Sequence, residues 1–196
     1  MILLSKSIDG RDVLLEFKPS YFLPQEKVMR DIYSGGVFYN VETTVQARNN
    51  IYAWGSLGYF GKSGRSIGGD DYTKIKIVPI GIGLKYFYTI PYCYCTKTGE
   101  ICPENLHVYI GAGVTANYLN LKNEYPYVIE RHSDWGPGLM AKSGLIVDMT
   151  KFLFLDLFID YSYAWFSYTE TMDEKVIRHN VNIGGGYFGL GLGWRF

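Results

Sequence analysis

The chain closes on "GGYFGLGLGWRF" (residues 185–196), and the reading of that stretch decides the fold. Bulky apolar residues take alternate positions (Phe188, Leu190, Leu192, Trp194, Phe196), separated by Gly189, Gly191 and Gly193, with Tyr187 and Arg195 as exceptions. Alternation of period two is a strand signature, because successive side chains leave a sheet on opposite faces. A strand of a soluble protein sets its large apolar residues inward and polar ones outward. Here the second face is mostly glycine, so it has to be settled which face looks outward.

The same period recurs along the whole chain. Alternating segments predict eight strands over 12–23, 33–47, 50–61, 73–90, 106–121, 136–149, 152–168 and 179–196, after an N-terminal extension at 1–11. Each exceeds the roughly 9–11 residues that a tilted strand needs to cross a bilayer. "ARNN" (47–50) and "DMTK" (148–151) read as tight turns, whereas "PQEKVMRD", "KSGRSIGGDD", "NEYPYVIERHSD" and "TETMDEKVIRH" read as longer polar loops. Short links at one end and long links at the other describe an up-and-down meander, closed so that no edge is left unpaired. The link "CYCTKTGEICPEN" is the exception, long where a short turn belongs.

Composition agrees. Among 196 residues, 19% are charged and 17% aromatic, with 19 basic and 19 acidic side chains. Charge is therefore scarcer than the roughly 25% of ordinary globular chains. A balanced charge without long runs of one sign argues against a nucleic-acid partner. The mean hydropathy of −0.03 and the lack of an 18-residue apolar run exclude a transmembrane helix but not a membrane barrel. The start "MILLSKSIDG" lacks a basic n-region and a small-residue cleavage site, which leaves a mature form with an added Met or a chain kept in the cell.

Sorting the faces settles the orientation. In the seventh segment Leu153, Leu155, Leu157, Ile159, Tyr161, Tyr163 and Trp165 share one face, opposite Phe154, Asp156, Phe158, Asp160, Ser162 and Ala164. Its apolar face ends in aromatic residues, as the belts at membrane–water boundaries do. The second faces collect glycine, small polar residues and eight charges: Glu16, Lys18, Glu42, Lys85, Lys142, Asp156, Asp160 and Arg195. A soluble core would not hold eight charges, since each unpaired buried ion costs several kcal/mol. In the lumen of a small barrel such charges pair with one another. The third segment is ambiguous, with Trp54 and Phe60 on one face and Leu57 and Tyr59 on the other. A soluble barrel of lipocalin type is the alternative, and it leaves the last strand with an outer face of nearly bare glycine.

With those residues in view, the closing strand and its terminal aromatic (Phe188, Leu190, Leu192, Trp194, Phe196) resemble the last strand of bacterial outer-membrane proteins. The eight-segment meander resembles the small barrels of the OmpA, OmpX and OmpW type. The resemblance implies an all-β, eight-stranded antiparallel barrel in the outer membrane, with membrane lipids around it and surface ligands at the long loops. It also implies that the barrel-insertion machinery recognises the C-terminal strand. The expected role is structural or interactive, or that of a narrow, weakly conducting pore.

Other motifs are weaker. "GGGYFG" (184–189) and "SLGYFGKS" (56–63) approach nucleotide-binding loops, but neither is followed by a helix. Cys93, Cys95 and Cys102 fit one disulfide with a thiol left over, Cys102 pairing with Cys93 or Cys95; a zinc site with His107 is the lesser reading. "ERHSD" (130–134), with His132, Ser133 and Asp134, and "RHN", with His179, offer the groups a lipid A-modifying hydrolase at the rim would use. A hydrated loop explains them more simply. No cofactor, metal or catalytic residue is expected.

Overall fold

A computed structural model describes residues 12–65, 72–91, 105–124, 129–172 and 175–196. Among them are ten strands and one short helix: β1 (Val13–Phe17), β2 (Ser20–Pro24), α1 (Lys27–Tyr33), β3 (Gly36–Arg48), β4 (Ile51–Arg65), β5 (Tyr72–Pro91), β6 (Asn105–Glu124), β7 (Ile129–Asp148), β8 (Leu153–Met172), β9 (Lys175–Asn182) and β10 (Gly185–Arg195). β1 and β2 are two halves of one stave, interrupted at Lys18–Pro19, because proline gives no N–H to a ladder. β9 and β10 likewise form the last stave.

Every neighbouring pair is antiparallel, and β10 pairs with β8 on one side and with β1 and β2 on the other. The wall is thus an eight-stave ring. Closure rests on registers such as Leu192↔Phe17, Phe188↔Tyr21 and Leu192↔Leu155.

The alternation has the orientation expected of a membrane barrel. Ile82, Ile110 and Ile159 are 63%, 64% and 67% exposed on the outer wall, whereas Glu42 and Asp156 are fully buried in the lumen. β4 is resolved the same way, with Trp54 and Phe60 inward and Leu57 and Tyr59 outward. The lipocalin orientation is thereby excluded, since its charges would be outside.

The lumen is stacked in tiers. Toward the loop end lies an apolar tier with Phe22, Phe38, Phe60, Leu119, Phe166 and Tyr187, and toward the turn end a smaller one of Leu14, Phe87, Tyr109, Ile146 and Phe154. Glycines on the wall admit these rings. A Cβ on Gly193 would fall 2.1 Å from Phe154 Cζ, and one on Gly113 would fall 2.4 Å from Trp54. The glycine face of the closing strand is therefore space taken up by side chains of its neighbours.

Three features depart from the sequence reading. Residues 27–33 form α1, a short helix of about two turns with Met29 and Tyr33 buried against the loop-end mouth, so the second stave begins at Gly36 rather than at 33. Tyr33 Oη and Thr73 Oγ1 share a 2.9 Å hydrogen bond. Burial pushes the Tyr33 hydroxyl above its ordinary pKa, with that bond pulling the other way. Second, much of the polar "loop" sequence is strand. β6 runs to Glu124 and β7 starts at Ile129, so the ladder extends past the membrane as a polar hairpin. Third, the final stave breaks before Gly185, and among the described residues β9 pairs with β8 alone. The extension 1–11 and the cysteines Cys93, Cys95 and Cys102 lie outside the described residues.

Candidate functional site: a buried charge layer

Between the two apolar tiers, seven of the eight inward charges meet. They come from five staves around the ring: Glu16 and Lys18 from the first, Glu42 from β3, Lys85 from β5, Lys142 from β7, and Asp156 and Asp160 from β8. Glu16 and Glu42 are directly opposite on β1 and β3, and Lys142 is directly opposite Asp160 on β7 and β8. Like charges in register repel. Lys18, from the stave of Glu16 itself, and Lys85, from β5, lie between the two glutamates.

Lys18 Nζ is 2.6 Å from Asp156, 3.7 Å from Glu16 and 3.9 Å from Glu42. Lys142 Nζ lies 2.8 Å from both Glu42 and Asp160. Lys85 binds Glu42 closely and lies 3.7 Å from Glu16. Tyr109 joins the layer: its hydroxyl donates to Asp156 at 2.8 Å and accepts from Lys18 at 2.9 Å.

Each ammonium also sits over an aromatic face. Lys18 is 4.1 Å from the Phe158 ring, Lys85 4.2 Å from Tyr109 and Lys142 4.7 Å from Trp54. In a desolvated setting a cation over a ring is stabilised by about 2 kcal/mol. The lysine stems thus pack as apolar matter while their heads are held by carboxylates. Gly191 makes this arrangement fit, since a Cβ there would meet Lys18 Cγ at 3.1 Å and Asp156 Cβ at 3.3 Å.

Arg195, grouped by its inward parity with these charges, stands apart from them. It lies at the turn-end mouth, where its Nη1 donates to Asp148 at 3.0 Å. His107 Nε2 is 3.2 Å from the same carboxylate oxygen, and His107 Nδ1 is 3.0 Å from Thr89 Oγ1. Sequence reasoning missed Asp148, which it placed in a turn, and considered His107 only as a zinc ligand. The four groups come from four strands, and parity alone does not say which of them meet. Among the described residues no cluster of histidine, cysteine and carboxylate side chains is suited to a metal ion.

The rim candidates for hydrolysis are strand residues. His132 and Ser133 occupy adjacent positions of β7, paired with Leu121 and Asn120. Ser133 Oγ accepts a 2.7 Å hydrogen bond from Asn120, and Asp134 accepts one of 2.7 Å from the Trp135 backbone. His179 is paired in register with Tyr168 on β8, and its side chain lies outside the described set. The two nucleotide-like stretches are likewise parts of β4 and of the last stave.

No protein-family model and no curated protein sequence matches the chain. Solved structures do. The outer membrane protein OprG of Pseudomonas aeruginosa superposes with a TM-score of 0.61 at 12% identity, over 94% of this chain and 95% of that one. The chain has the fold of the small outer-membrane β-barrels. The Escherichia coli outer membrane protein W matches with a TM-score of 0.56 at 12% identity, covering 94% of the barrel and 97% of its own chain. A major outer membrane protein of Thermus thermophilus matches with a TM-score of 0.56 at 13% identity, covering 95% and 99%. An inverted wall, greasy outside and charged inside, makes this an integral barrel of outer-membrane type.

Proposed function

We propose that the barrel works as a closed scaffold of the outer membrane, holding its loop-end hairpins at the cell surface, rather than as an open pore or an enzyme. The observation that carries this reading is the charge layer between two apolar tiers. Its seven charged side chains are each at most 4% exposed. An ion crossing the lumen would have to separate carboxylates from ammonium groups held within 4 Å and then displace packed rings. Ring pairs such as Phe22–Phe60 and Phe38–Tyr187, with centroids 5.0 and 4.7 Å apart, obstruct the loop-end side. Insertion is assigned to the C-terminal strand, whose Phe188, Leu190, Leu192, Trp194 and Phe196 form an exposed apolar row that the insertion machinery can read.

Planar-bilayer recording tests the closure. The native barrel is expected to show almost no unitary conductance. The near-isosteric double change Glu42→Gln with Asp156→Asn removes two carboxylates that pin Lys18, Lys85 and Lys142, and is expected to raise conductance severalfold. An unchanged trace for the double variant would mean that the charge network is not what closes the lumen.

A further inference from the structure

At the turn end of the lumen is a recess of about 210 Å³ that takes no part in the charge layer. Leu14 and Phe87, both of the turn-end apolar tier, close it on the inner side. The Tyr52 ring stands beside them, its centroid 4.5 Å from that of Phe87 and its plane tilted by 53°. The rim is polar and, among the described residues, is made by Asp12, Asn49, Asn50, Thr89, His107 and Arg195. The ladder holds this rim in place. The Phe87 N–H donates to the Asn50 carbonyl at 2.8 Å, and the Gln46 side-chain amide donates to the Asn49 carbonyl at 2.6 Å. Both bonds fix the β3–β4 turn, whose two asparagines are exposed. Thr89 and His107 are directly opposite on β5 and β6 and share a 3.0 Å hydrogen bond.

The chemistry of the recess selects its ligand. Arg195 is bound to Asp148 through Nη1 at 3.0 Å, which leaves Asp12 as one carboxylate among the uncharged side chains of Asn49, Asn50, Tyr52 and Thr89. Such a rim favours neither a strong anion nor a multivalent cation. Amides and hydroxyls supply donors and acceptors together, as a ligand rich in hydroxyl groups requires. The aromatic and aliphatic inner surface requires in addition that one side of the ligand be apolar. A pyranose ring meets both conditions, with C–H bonds on its faces and hydroxyls along its edge. Size narrows the choice further, because the recess falls short of the about 300 Å³ at which drug-sized pockets begin, and so takes a single ring.

We propose that the turn-end recess binds one uncharged pyranose ring, its C–H face against Tyr52 and Phe87 and its hydroxyls bonded to Asn49, Asn50, Thr89 and Arg195. The Arg195 guanidinium has further N–H groups besides the one on Asp148, so it holds that carboxylate and a sugar hydroxyl together. The chemistry is the same for a free hexose and for the end of a glycan of acetamido sugars. The assignment rests on the scaffold reading in one respect: with the charge layer closed behind the recess, a sugar is held there rather than passed on. Binding and closure are read separately, the first by titration and the second by bilayer current.

The test uses the full chain refolded into phosphatidylcholine nanodiscs, which carry no sugar. It is titrated with maltose and with the disaccharide of N-acetylglucosamine, and binding is read by saturation-transfer NMR. At least one of the two is expected to bind, with the C–H protons of one ring saturated most strongly, and the preferred sugar separates the two sources. Tyr52→Leu removes the aromatic face and keeps an apolar side chain, and is expected to weaken binding about tenfold. Arg195→Lys keeps the charge and loses the planar fork, and is expected to weaken it by a similar factor. Lys62→Gln, at the loop end of β4, is expected to leave binding unchanged, and the heat-shift on SDS gels verifies that each variant is folded. Absence of saturation for both sugars on the folded native barrel would overturn the assignment. So would native affinity in the folded Tyr52→Leu variant, or equally strong binding of glutamate, which is charged and has no ring.

Discussion

Lys18→Met is expected to destabilise the folded barrel by about 3–5 kcal/mol, the usual effect of removing one partner from a buried ion network. The size follows from what is left behind. Lys18 lies within 4 Å of Glu16, Glu42 and Asp156, and its loss leaves four carboxylates facing only Lys85 and Lys142. Methionine fills much of the volume of the lysine stem, so the deficit is electrostatic rather than a cavity. The matched double change Lys18→Met with Asp156→Leu removes one charge of each sign and is expected to cost less than Lys18→Met alone, a coupling that distinguishes pairing from packing. Urea titrations in lipid vesicles, scored by the fraction of SDS-resistant barrel, measure both. A Lys18→Met barrel with a native midpoint would show that the layer tolerates an uncompensated carboxylate and would remove the electrostatic account of the lumen.

Gly113→Val is expected to prevent folding. Gly113 and Gly83 are a directly opposed pair on β6 and β5, packed against the Trp54 indole. A Cβ on Gly113 would lie 2.3 Å from the Ile82 carbonyl oxygen and 2.4 Å from Trp54 Cζ2. The first of these atoms is backbone, so relief requires breaking the β5–β6 ladder, which exceeds the about 1–3 kcal/mol usual for overpacking. The Trp54 ring in turn supports Lys142 from 4.7 Å, so the damage reaches the charge layer. Gly55→Ala is the control, because its added Cβ meets nothing closer than a carbonyl oxygen at 4.0 Å. Refolding yields on SDS gels are expected to be near zero for Gly113→Val and native for Gly55→Ala. A native yield for both would mean that the wall at Gly113 is not packed as tightly as described.

These two expectations mark how far the sequence could be read. Period-two alternation identified eight staves and, the ambiguous third segment apart, their outward faces, because lipid on one side and a crowded lumen on the other leave little freedom in what each face carries. The glycines of "GLGLG" are legible as small residues, but not the reason for each one. Gly193 serves Phe154 and Gly191 serves the Lys18–Asp156 pair, and both partners arrive from neighbouring staves. Parity likewise placed Arg195 inside without revealing that it shares the Asp148 carboxylate with His107 at the mouth. The helix α1 escaped notice because seven residues with Met29 and Tyr33 four apart give too short a period to stand out from a polar loop. The strand extensions past the membrane were hidden for a related reason: outside lipid both faces are polar, so "NEYPYVIERHSD" does not alternate although most of it is paired. Lys74 falls inside the strand expected over 73–90 and Lys122 just past the one expected over 106–121, and only the register shows that the two are directly opposite.

The central claim is that the apolar face is outside, the charges are inside, and the wall is closed in a membrane. Electrophoresis in SDS of the detergent-refolded chain, with and without boiling, tests it most directly. A closed membrane barrel resists SDS until heated, so the unboiled sample is expected to migrate as a faster, compact band that boiling converts to the position of the unfolded 22.3 kDa chain. A chain that stays monodisperse without detergent and migrates identically before and after boiling would contradict the account.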